Sequence, residues 1–151
     1  MRRTETFLGA FALLGVGAVL ASCGPTGTTN PPACVAPAGV QVAMIYPAPG
    51  ATGIPDAFNQ VVLATQGTLP ATFDVTFVAS SFSGIAYFGA VLPAASPLPS
   101  PAATPPFSNP TYLTSTNGGY TFVSGATLTA QLNDLNSNCV PGTVLGTFTV
   151  Q

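Results

Sequence analysis

The side chains able to carry chemistry are few, and their kinds exclude more than they offer. Beyond residue 22 the chain has no Lys, Arg, His, Glu or Trp; Arg2, Arg3 and Glu5 all precede that point. What remains is Asp56, Asp74 and Asp134, four tyrosines, and the cysteines Cys23, Cys34 and Cys139. A surface without cationic side chains cannot neutralise phosphates, so nucleic acid is excluded as a partner. With no His or Lys to take its proton, a Ser or Cys nucleophile has no activating base. Zinc and copper sites of the imidazole kind cannot be built. Acid–base work would fall to a pair of aspartates, and none of the three lies near another in sequence. The expectation is a protein that is not an enzyme, with no catalytic residue, no cofactor and no resident metal.

Two patterns could still place chemistry. Asp134-x-Asn136-x-Asn138 repeats the spacing of the first three oxygen ligands in a helix–loop–helix calcium loop. Cys139 then stands where that loop needs Gly, and Leu145 where it needs a bidentate Glu, so the pattern reads as a polar turn that needs no metal. Tyr112 and Tyr120 could offer an aromatic surface to a carbohydrate or neutral polymer if they escape the core.

The amino terminus carries a stronger signal. Met1-Arg2-Arg3 is a short basic start, Phe7 to Leu20 is an apolar run, and Leu20-Ala21-Ser22-Cys23 closes it. Basic start, apolar core and small-residue processing site make a secretory signal. The run falls short of the roughly 20 residues that cross a bilayer comfortably. Leu20-Ala21-Ser22-Cys23 resembles the lipobox of bacterial lipoproteins at all four positions. The resemblance implies cleavage before Cys23 and acylation of that cysteine, with residues 1–22 as signal peptide and 23–35 as a lipid-anchored tether. Two or more acyl chains make a stable anchor where one does not. Phe7-Leu8 lies further from Arg2-Arg3 than in twin-arginine signals, which favours the general secretory route, and Gly24 after the acylated cysteine leans towards an outer membrane or cell surface. If Cys23 carries lipid, Cys34 and Cys139 form an even pair in a disulfide-permissive compartment, two free thiols being the alternative.

The elements that must position these residues read as strands. Hydrophobic residues make up 47% of the chain and charged residues 4%, the reverse of the balance that keeps chains disordered. Pro and Gly interrupt every candidate helix. Val40 to Tyr46 alternates, with Val40, Val42, Met44 and Tyr46 on one face. Pro47 to Pro55 reads as a turn region and Gln60 to Thr65 as a second strand. Thr72 to Ala79 follows, with Phe73, Val75, Phe77 and Ala79 inward and Asp74 towards solvent. Gly84 to Leu92 is the next strand. Pro93 to Pro110 cannot supply a central strand and reads as a stiff crossover between sheets. Asn117-Gly118 suits a type I′ turn and predicts a hairpin over Thr111 to Ser124, pairing Leu113 with Phe122. Thr127 to Leu132 and Thr143 to Val150 complete seven or eight short strands, the pattern of an all-β sandwich.

Tyr46-Pro47-Ala48-Pro49-Gly50-Ala51-Thr52-Gly53-Ile54-Pro55 resembles the opening of bacterial immunoglobulin-like domains, and Asn133 to Asn138 sits where such domains place an Asp-containing turn before the last strand. The resemblance implies an Ig-like β-sandwich over 36–151 that serves as spacer, stalk or binding surface, with no catalytic residues. In that fold part of the first strand runs parallel to the last. This brings Cys34 and Cys139 within disulfide reach. The expected function is a non-catalytic, membrane-anchored envelope lipoprotein of structural or interaction type. Its expected partners are the membrane, through the lipid on Cys23, and an envelope protein or glycan. A carbohydrate- or polymer-binding surface lipoprotein is the alternative.

Overall fold

The computed structural model describes residues 32–80, 85–137, 139 and 142–151, and none of them is helical. Eight strands form: β1 (Gln41–Tyr46), β2 (Gln60–Gln66), β3 (Phe73–Ala79), β4 (Ile85–Tyr87), β5 (Leu92–Pro93), β6 (Thr111–Thr116), β7 (Thr127–Asp134) and β8 (Thr143–Thr149). They make two four-stranded sheets, ordered β1-β2-β6-β5 and β4-β3-β7-β8, in which every strand pairing is antiparallel. The fold is an all-β sandwich, and this strand order is that of an immunoglobulin-type sandwich.

Period-two alternation explains most of the packing. On β3, Phe73, Val75, Phe77 and Ala79 face inward; on β7, Leu128, Ala130 and Leu132 do the same, and the register pairs Phe77 with Ala130 and Val75 with Leu132. Val61 and Leu63 of β2 meet them from the other sheet. At the centre stands Phe58, stacked on Phe122 with centroids 5.3 Å apart. It meets Phe148 edge-on at 5.2 Å and Phe77 at 5.7 Å. Such aromatic pairs contribute about 0.5–1.5 kcal/mol each beyond area burial.

The segment expected to be a turn region does more than turn. After β1 the chain leaves its sheet and runs parallel to the last strand. Gly50 donates to the Thr147 carbonyl (2.7 Å), Thr149 to Ala51 (2.9 Å), Ile54 to Thr149 (3.2 Å) and Gln151 to Ile54 (2.8 Å). The Pro/Gly-rich residues thus satisfy part of the β8 edge, which would otherwise present unpaired backbone groups.

Five expectations need correction. Tyr46 does not share a face with Val40, Val42 and Met44. A bulge between Met44 and Tyr46 inserts one extra residue, so Met44 packs in the main core while Ile45 and Tyr46 turn to the outer side. Residues 111–124 do not form a hairpin, because β6 pairs with β2 and β5 instead. A type I′ turn needs positive φ at both central residues; neither Asn117 nor Gly118 has it, and Gly119 takes the left-handed conformation at φ 100°. The Asn117 side chain replaces the turn: its Oδ1 accepts from the Gly119 and Tyr120 backbone (3.0 and 2.7 Å), and its Nδ2 donates to Phe58 and Tyr120 carbonyls (3.1 and 2.7 Å). The chain then crosses to the second sheet and buries Phe122 between the two.

Residues 93–110 are not a crossover between sheets. The crossing happens earlier, inside the segment Gly84 to Leu92 expected as one strand: β4 pairs with β3, Phe88 and Val91 donate to β3 carbonyls, and Leu92 then pairs with Thr114 of β6 in the other sheet. The Pro-rich stretch folds back over the outer face of the first sheet. Leu98, Ala103 and Phe107 pack there on Ile45, Val62 and Ala64, and Ala103 donates to the Ile45 carbonyl at 2.8 Å. The fifth correction, Asp74, belongs to the site.

Candidate functional site

The chemistry-bearing residues gather at one end of the sandwich. β8 starts there, and Gly142 just before it forms a parallel bridge with Cys34. Cys34 and Cys139 are joined by a disulfide with Cα atoms 4.9 Å apart, as expected, and both are buried. The Thr143 hydroxyl donates to the Cys34 carbonyl, which fixes the incoming chain against β8. Cys34 is therefore already part of the folded body, and Ala36 packs against its core. A Cβ on Gly142 would lie 2.6 Å from the Leu132 carbonyl oxygen, so only glycine lets the chain approach this closely. Cys23 lies outside the described residues.

Asp74 and Asp134 come together at the same end. Asp74 pairs with Asn133 across the β3–β7 ladder, with Asp134 next along. Asp74 does not point to solvent: it is 0% exposed, and neither carboxylate oxygen has a hydrogen-bond partner among the described residues. Burial pushes its carboxyl above the ordinary value of 3.8. The Asn133 amide and the Asp74 backbone pull the other way without closing a bond of full geometry, and the Asp134 carboxylate adds to the rise. Strand alternation placed Asp74 correctly on the outer face. It could not show that the Asp74 side chain is shut off from water there, because that depends on tertiary packing and not on local sequence.

The candidate calcium pattern resolves into a turn. Asp134 Oδ1 accepts from the Asn136 backbone at 3.1 Å, and Ser137 donates to the Asp134 carbonyl at 3.1 Å. This is the local side-chain bonding that such residues offer their own backbone. Asn138 lies outside the described residues. No group of three or more His, Cys, Asp or Glu that could hold a metal ion occurs among the described residues. Asp56 sits at the opposite end, where its backbone bonds Gln151 and Phe122.

The two tyrosines separate. Tyr112 packs under the Pro-rich strap beside Val62 and Ala64, whereas Tyr120 is exposed at the end remote from the disulfide. The apolar strap site on the first sheet was missed from the sequence, although the signal existed. Val61-Val62-Leu63-Ala64 is an unbroken apolar run, as a strand covered on both faces requires. No family model, no curated protein and no solved structure matches the chain.

Proposed function

We propose that this chain is a non-catalytic lipoprotein of the bacterial envelope, held on the outer side of a membrane by acyl chains on Cys23 and acting as a structural or interaction module of Ig-like type. One observation carries the reading: the Cys34–Cys139 disulfide uses two of the three cysteines, and the remaining one, Cys23, closes the Leu20-Ala21-Ser22-Cys23 motif. A disulfide spanning 105 residues also fits an oxidising compartment outside the cytoplasm. The absence of Lys, Arg and His beyond residue 22 supports anchoring by lipid, since basic residues that would bind anionic headgroups are missing.

The test is metabolic labelling of the full chain in a bacterial host with an alkyne-bearing palmitate, followed by fractionation. Label on the wild type in the membrane fraction, and none on Cys23→Ser, is the expected result. An unlabelled wild-type chain, or label that persists in Cys23→Ser, overturns the proposal.

A further inference from the structure

Among the described residues, exposed large apolar side chains are few, and apart from Leu92 they fall at the two ends of the sandwich. At the disulfide end stand Val35 (65% exposed), Leu135 (55%) and Val144 (59%). Val35 follows Cys34, which bridges to Gly142. Val144 is the second residue of β8, and Leu135 follows β7, where its N–H donates to Thr72. At the other end stand Tyr120 and Val123, beside the turn where Gly125 donates to Val150. The two groups have similar chemistry, so apolarity alone does not say which end meets what.

The chain that enters the fold decides it. Cys34 is fixed at the first end by the disulfide, by Thr143 and by the bridge to Gly142. Cys23 stands eleven positions earlier. A segment of that length cannot exceed about 40 Å even when fully extended. The eight residues of β7 alone extend about 26 Å along the sandwich. A lipid on Cys23 is therefore joined to the sandwich at its disulfide end, and the Tyr120–Val123 end lies at least the length of β7 further from the attachment point.

We propose that Val35, Leu135 and Val144 form a membrane-contact surface, on which the sandwich rests with its disulfide end against the lipid and its Tyr120–Val123 end outward. This rests on the acylation of Cys23 proposed above. The surface it fits is a neutral one: Asp134 stands at this end, and no Lys or Arg exists beyond residue 22 to favour anionic headgroups. Contact comes from apolar side chains reaching the headgroup–acyl boundary, as in interfacial segments that bury about 5–10 Å deep.

The chain contains no Trp, so a single introduced Trp reports on its own site. Acylated full chain carrying Val35→Trp, Leu135→Trp, Val144→Trp or Val123→Trp is reconstituted in phosphatidylcholine vesicles whose acyl chains are brominated near the headgroup. Quenching of the three disulfide-end reporters at least about twofold stronger than that of Val123→Trp is expected, given the depth such surfaces reach. Circular dichroism identifies any variant that fails to fold, and the remaining reporters at the same end carry the comparison. Equal quenching at both ends in a chain whose mass confirms acylation overturns this inference alone. A chain with an unmodified Cys23 overturns it together with the functional reading.

Discussion

A carboxylate shut off from water with no hydrogen-bond partner among the described residues costs stability at neutral pH, and Asp74 is such a group. Its unfolded value is the ordinary 3.8, and its folded value lies above that. Folding therefore takes up a proton between the two values, so this contribution to stability is full below 3.8 and is lost as pH rises through the folded value. Asp74→Asn should gain about 1–3 kcal/mol at pH 7, the usual penalty of a buried unsatisfied group. Thermal unfolding of both proteins across pH should show that advantage shrinking as pH falls; an equal advantage at pH 3 and pH 7 would contradict it. Gly142 makes the complementary case, because its backbone approach leaves no room for a Cβ. Gly142→Ala should lose about 1–3 kcal/mol, the range for overpacking, in a urea titration.

At the scale of elements, the Pro-rich stretch is a strap and not a linker. It covers Ile45, Val62 and Ala64, and Phe107 supplies its largest side chain. Phe107→Ala should lower stability by about 1–3 kcal/mol, less than the full cost of truncating a core Phe because Phe107 is only partly buried. A chain in which the strap hung free would show no change. Strands with clean alternation, such as β3 and β7, were legible from sequence because one face of each meets the opposite sheet. The bulge at Ile45 and the covering of Val62 were not, since both depend on a partner distant in sequence. Asn117-Gly118 misled for a related reason: its dipeptide suits a hairpin, but the Asn117 amide closes the turn through Phe58 and Tyr120. At the site, the cysteine pair was legible by counting, whereas the approach of Asp74 to Asp134 was not, because 60 positions separate them in the numbering.

At the scale of the whole described chain, the sandwich is clamped along its last strand. The parallel run of residues 50–56 along β8 and the Cys34–Cys139 disulfide hold the entering chain to the last strand at both its start and its finish. Since the disulfide closes a loop of 105 positions, the chain-entropy model places its contribution near 4.7 kcal/mol as an upper figure. Cys34→Ala with Cys139→Ala should therefore lose about 2–5 kcal/mol in a denaturant titration, with fold and strand content retained. Loss of less than 1 kcal/mol would mean that backbone pairing with β8 suffices without the bridge. The clamp also sets the direction in which a lipid on Cys23 would present the domain, which joins the stability of the sandwich to the proposed membrane anchoring.

The most direct test of that account is the non-reducing intact mass and peptide map of the chain purified from bacterial membranes. The expected result is a chain that begins at Cys23, carries diacylglycerol on that cysteine, and contains a linked Cys34–Cys139 peptide pair. A chain that still begins at Met1, or that has a free Cys23 thiol, would contradict it.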